Sequence, residues 1–165
     1  MYKTHMIDDL TKNYVFGETL GYVHTIEFQK CGLSHMHLLL SLCPQFRPTS
    51  AEDVNSIIRA MWPDPVLEPR LFDIVKKTMV YGPCGTLKPE AHCMKDGKCS
   101  KGFPKRFQPQ TVMTRDGYPI YTRPNDGHVY EVCDFFADNR WIVPYNPYIL
   151  SQYYFSHLLP FFTLM

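Results

Sequence analysis

The sequence predicts an α+β fold, and three observations carry that prediction. Two β-rich runs, "LGYVHTIEFQ" (Leu20 to Gln29) and "SHMHLLLSL" (Ser34 to Leu42), flank a short glycine-bearing turn, "KCGL". Two later stretches, "TSAEDVNSIIRAMW" and "PRLFDIVKKTMVYG", carry apolar residues at helical spacing. Fourteen prolines and eleven tyrosines among 165 residues indicate loops between short elements rather than a helical bundle. The length suits one domain, and 45% hydrophobic residues suffice to build a core.

The elements follow in chain order. The β-rich runs are dense in β-branched and aromatic residues and are joined by a turn in which Gly32 is free to take positive φ. An antiparallel hairpin is the expected product. The first helix opens on Thr49 or Ser50 as N-cap, with Glu52 and Asp53 in its first turn. Val54, Ile57, Ile58 and Met61 form its apolar face, and Pro63 and Pro65 end it. The second helix presents Leu71, Ile74, Val75, Thr78 and Met79, with Gly82 as its stop. Residues 83–107 form a Cys- and Lys-rich region without periodicity. Beyond it, "TVMTRDGYPIYTR" carries the turn pair Asp116-Gly117, and "HVYEVCDFFADNRWIVPYNPY" holds a further strand before a proline-bounded block.

Composition narrows the function. A formal net charge of +1 names no partner, but its distribution is uneven. Lys88, Lys95, Lys98, Lys101, Lys105 and Arg106 stand against only Glu90 and Asp96, a patch suited to phosphates or to plain solvation. The start has no basic region followed by an apolar run, so no secretory signal is expected. The tail "ILSQYYFSHLLPFFTLM" is apolar but shorter than the roughly 20 residues a bilayer crossing needs. No membrane role is expected. In that setting the six cysteines read as thiols or metal ligands rather than as disulfides.

The motif with the most chemistry is "SHMH". On a strand, His35 and His37 point to one face while Met36 points away. Two neutral imidazoles at this spacing can share one ion, with Glu27 or Gln29 on the partner strand as third ligand. The competing reading is a pair of partly buried, hydrogen-bonded histidines at a strand end. A second motif is C-x8-C-x5-C, formed by Cys84, Cys93 and Cys99, with His92 beside the middle cysteine. Three thiols and an imidazole suit tetrahedral zinc. The alternative is a loop ordered by packing, with free thiols. Cys31, Cys43 and Cys133 read as isolated thiols.

The surrounding text resembles a known family. "YVHTIEFQKCGLSHMHLLLSL" is similar to the core of Helitron-type transposases and replication initiators. The resemblance continues through "PDPVLEPRLFDIVKKTMVYGPCG", "CMKDGKCSKGFPKRF", "DGYPIYTR" and "NRWIVPYNPYIL", covering about residues 14–150 in order. It implies an HUH endonuclease domain, in which His35, Met36 and His37 are the histidine, hydrophobic residue and histidine. The implied fold is an antiparallel sheet flanked by helices, with the histidines on a central strand. The implied activity is rolling-circle cleavage and rejoining of single-stranded DNA at transposon ends. The implied cofactor is Mg²⁺ or Mn²⁺ on the histidines, with a tyrosine as nucleophile and a nuclear setting.

The chain departs from the family pattern in several places. The family's nucleophiles are tyrosines four apart on a helix after the "PYNPY" block, and no two of this chain's tyrosines have that spacing. Tyr153 and Tyr154 remain as candidates, though they read more readily as core aromatics. A histidine is common in relatives where Tyr81 stands, which leaves His92 or water as fourth zinc ligand. Cys31 stands where relatives carry an arginine. The family's initial strand is absent, so a sheet with an unpaired neighbour is expected. No G-x-x-x-x-G-K-[ST] loop occurs, so the relatives' helicase half is missing. The expectation is one partial domain over residues 1–165, cut at both ends, with a divergent tail at 154–165. It keeps the metal histidines, lacks an evident nucleophile, and presents Lys95, Lys98, Lys101, Lys105 and Arg106 to single-stranded DNA. The alternatives are a non-catalytic DNA- or zinc-binding module and a decayed transposon fragment.

Overall fold

A computed structural model describes residues 2–28 and 34–153. Gln29, Cys31, Gly32, Tyr154 and the tail lie outside the described residues, and His35 is described in its backbone only. The fold is α+β, with four α-helices and small antiparallel sheets among the described residues. The order is α1 (Tyr2–Thr11), β1 (Thr19–Phe28), β2 (Ser34–Leu42), α2 (Ala51–Ile57), α3 (Pro69–Thr78), β3 (Met94–Lys95), β4 (Lys98–Cys99), β5 (Val112–Met113), β6 (Pro119–Ile120), β7 (Tyr130–Val132), β8 (Phe135–Ala137) and α4 (Pro147–Tyr153). Among the described residues each sheet has two strands: β1-β2, β3-β4, β5-β6 and β7-β8. No helix among them is long and apolar enough to cross a membrane.

The long ribbon pairs antiparallel, with Glu27 opposite His35, Thr25 opposite His37 and Val23 opposite Leu39. Its two faces meet different surroundings. Met36, Leu38 and Leu40 turn inward onto Met6 and Leu10 of α1 and Ile149 of α4. The alternate positions, including His37 and Leu39, turn outward and are exposed. Helix α1, for which the sequence offers little apolar periodicity, exists because it covers this inward face.

The larger core lies elsewhere. Trp62, Leu71, Ile74, Val75, Met79, Phe135, Trp141 and Ile142 are among the residues packed there. Helix α4 joins the two cores, giving Ile149 to one and Leu150 to the other. Irregular chain closes the larger core. The segment Ile142–Tyr145 bridges to Val80 on one side and to Arg59 on the other. Arg123 is buried at this junction, and its guanidinium donates to the carbonyls of Asn139 and Ile142 at 2.7 and 2.6 Å, and of Ala60 at 3.3 Å. Loss of hydration lowers its pKa to about 10, with the nearby Tyr121 opposing.

Both expected helices form, with shifted ends. Ser50 caps α2: its hydroxyl accepts from the Asp53 N–H at 3.1 Å, and the Asp53 carboxylate accepts from the Ser50 N–H at 2.9 Å. That helix ends at Ile57, well before Pro63. The reason is tertiary, since Arg59 is drawn into extended pairing with Tyr145 and the Trp62 N–H donates to the Asn139 side chain. Helix α3 buries Leu71, Ile74 and Val75 and ends at Thr78, before Gly82. Gly82 takes φ +115°, and a Cβ there would lie 2.8 Å from the Trp141 ring, so the position needs glycine. The Asp116-Gly117 turn joins β5 to β6 as expected. Helix α4 is an element the proline-bounded text does not announce.

Candidate metal centres

The outward face of the β1-β2 ribbon carries the first group. The Glu27 carboxylate approaches His37 Nε2 at 3.3 Å, a diagonal contact across the two strands. Position 35 has the same outward parity as position 37. Both described side chains are more than half exposed, 59% for His37 and 67% for Glu27. The group is therefore open to water and to a ligand of any size. Beside it lie exposed Val23 and Leu39. Leu39 also lines a cavity of about 450 Å³ with Arg47, Val54, Met113 and Tyr121.

Tyr153 stands on the other side of this ribbon. Its ring packs against the cluster of Met6, Leu10, Met36 and Ile149 on the inward face. Its hydroxyl donates to Asp9 Oδ2, as does that of Tyr148 at 3.0 Å. Burial and the Asp9 hydrogen bond hold the Tyr153 phenol well above its usual pKa. A nucleophilic phenol needs the opposite shift and the opposite face. Tyr145 is buried too, and its hydroxyl donates to the Met61 carbonyl at 3.1 Å.

The second group lies in the Cys- and Lys-rich region. The sulfurs of Cys84, Cys93 and Cys99 all lie within 4.8 Å of one another. Local structure explains the convergence. Asp96 and Gly97 both take positive φ, 49° and 73°, which makes a two-residue hairpin of the type suited to Asp-Gly. That turn folds Cys99 back, placing it opposite Met94, and the Ser100 N–H donates to the Cys93 carbonyl at 2.7 Å. Cys84 enters from the core side behind Gly82, almost fully buried, with its thiol 3.8 Å from the Phe103 carbonyl. The pair "DG" within "KDGK" is the signal that could have announced this hairpin.

The thiols are electrostatically unequal. Burial pushes the Cys84 thiol up, and the neighbouring Cys99 and Cys93 thiols add to that. Burial also opposes ionisation of Cys99, but the N–H groups of Phe103 and Lys101 and the other two thiols outweigh it and bring its pKa down to about 7. Tyr81 lines a cavity with Cys93, and hydrogen bonding to that thiol together with burial holds its phenol well above the usual pKa. His92 is not in the sulfur group. It is exposed, on the rim of a cavity it shares with Tyr81, Cys93 and Lys101. The described cysteines are all free thiols.

The basic residues lie along the same stretch of chain. Lys95, Lys98, Lys101 and Arg106 are exposed, whereas Lys105 is half-buried, donates to the Lys101 carbonyl at 2.7 Å and lies over the Phe103 ring. The interleaved aromatics are already engaged. Phe103 stacks on Tyr81 with centroids 4.3 Å apart, and Phe107 lies under the Arg140 guanidinium.

One family model matches one end of the chain. Residues 1–40 match the family model described as the Helitron helicase-like domain at the N-terminus. No curated protein matches the chain. The matched residues carry α1, β1 and most of β2. The segment that bears Glu27, His35 and His37 is therefore the part of the chain similar to that family model.

Proposed function

We propose that this chain is the histidine-bearing part of a Helitron-type single-strand DNA nicking and joining domain. On this reading His35, His37 and Glu27 hold a divalent cation at the outward face of the ribbon. The observation that carries it is the Glu27–His37 contact at 3.3 Å on that face, within the segment similar to the Helitron model. Two imidazoles and a carboxylate are a softer set than Mg²⁺ prefers, so Mn²⁺ is the better fit. A bound cation there would polarise a scissile phosphate and offset its developing charge. The face is unobstructed enough for an extended single strand to cross it. The Lys- and Arg-bearing loop offers phosphate contacts to the same ligand. A nuclear setting goes with that substrate.

The described tyrosines do not serve as nucleophile on this reading, because the best candidate, Tyr153, is tied to Asp9 on the inward face. The chain binds cation and DNA without forming a covalent link by itself. Calorimetric titration with Mn²⁺ tests the site. His37→Ala and Glu27→Gln should each weaken Mn²⁺ by about tenfold or more. Unchanged affinity in His37→Ala removes the assignment. Incubation with Mn²⁺ and a labelled single strand should leave the strand uncleaved, and a protein-linked product would return a tyrosine to the catalytic role.

A further inference from the structure

The Cys84, Cys93 and Cys99 group does not depend on the ribbon reading. We propose that these three cysteines hold one zinc ion and that the Tyr81 phenol, rather than His92, stands at its fourth coordination position. Zinc–thiolate bonds of about 2.3 Å in a tetrahedron separate the sulfurs by roughly 3.8 Å. Sulfurs already within 4.8 Å of one another need only a small contraction to reach that geometry.

The surroundings suit a charged site. Three thiolates on Zn²⁺ leave one net negative charge. The Phe103 and Lys101 N–H groups point at the Cys99 sulfur, the usual support for a metal-bound thiolate. Lys95, Lys98, Lys101 and Lys105 sit on the same loop and offset the charge. Part of the basic patch thus answers the metal site.

Tyr81 is aimed at the group from a fixed support. Its N–H donates to the Trp141 carbonyl at 2.9 Å, and its ring stacks on Phe103 at an interplanar angle of 17°. Phe103 in turn meets Cys84 through its carbonyl. Tyr81 also lines one cavity with Cys93, and hydrogen bonding to Cys93 leads the causes that raise the phenol's pKa, which puts the phenol on the thiol side of that cavity. A phenol is a weaker zinc ligand than an imidazole, so the site holds its metal while remaining exchangeable at that corner.

Titration of the metal-stripped full chain with Co²⁺, followed by displacement with Zn²⁺, tests the proposal. One equivalent of Co²⁺ should bring a sulfur-to-metal charge-transfer band and tetrahedral visible bands. Cation bound at the ribbon has no sulfur ligand and gives no such band, so failure of one site is distinguishable from failure of the other. Tyr81→Phe should shift the visible bands and weaken zinc by roughly tenfold, and Tyr81→His should tighten it. His92→Ala should change neither spectrum nor affinity. Absence of the charge-transfer band in the unmutated chain overturns the zinc site without requiring any cysteine variant to fold. A spectrum changed by His92→Ala and indifferent to Tyr81→Phe overturns the role of Tyr81.

Discussion

The ribbon half and the packed half of this molecule each carry side chains of types that can ligate metal, in opposite surroundings. On the ribbon, Glu27 and His37 meet across two strands on a surface open to water. In the packed half, Cys84 is buried and Cys93 and Cys99 are partly buried, locked by a two-residue hairpin and by backbone donors. Closeness in sequence and preorganisation in space are thus separate properties. His35 and His37 are two residues apart in sequence, yet no described residue encloses the His37 imidazole. The cysteines are spread along the chain, yet they are assembled with their electrostatics already biased toward one thiolate. The first arrangement suits a cation that must meet a large ligand. The second suits a cation that holds a loop in place.

Four perturbations break or sharpen that contrast. The largest effect belongs to the packed half. Arg123→Ala should cost about 3–5 kcal/mol in a denaturant melt, because it empties a buried space and orphans three carbonyls. A cost below that of an ordinary surface change would mean that the junction is not held by this guanidinium.

Chelation comes next. With free zinc a hundredfold above its Kd, binding contributes about 2.7 kcal/mol, so stripping the metal should lower Tm by roughly 5–10 °C. An equal loss in a variant that retains only the ribbon histidines as ligands would assign the effect to the wrong half.

The third perturbation acts on the tether between halves. Asp9 on α1 accepts from Tyr153, and also from Asn13 and Tyr148, and these bonds hold its carboxyl below the usual range. A carboxyl with a depressed folded-state pKa contributes stability that is present above its unfolded value, about 3.9, and is lost as pH falls through the folded value. The Tm of the unmutated chain should therefore drop more steeply below about pH 4 than that of Asp9→Asn. Parallel curves would mean that Asp9 does not couple α1 to α4.

The smallest effect is on the ribbon surface. Val23→Lys changes an exposed outward residue and should move stability by less than about 0.5 kcal/mol. It should, however, reduce self-association in sedimentation, because a two-stranded ribbon with apolar outer residues invites pairing with another chain. Association unchanged by the lysine would show that this surface is not the sticky one.

Much of the fold was legible because its determinants are local. Period-two and helical spacing announced β1, β2, α2 and α3, and Asp116-Gly117 announced the β5-β6 turn. The α+β class followed from those elements alone. Of the blocks that resemble Helitron proteins, the family match reaches only the first, since it spans residues 1–40. Other features carry no local signal. Helix α2 stops at Ile57 because Arg59 pairs with Tyr145, a partner far along the chain. Helix α1 exists to cover one face of the ribbon.

The sequence by itself determined which elements form and which residue types could ligate metal, since backbone preference and side-chain chemistry are carried by each residue and its neighbours. Only the tertiary structure decided which ribbon face is covered, that Tyr153 lies away from the outward face bearing His37, and that the three sulfurs converge without His92. Those outcomes depend on where distant segments dock, and docking is set by shared burial that no short stretch of sequence contains.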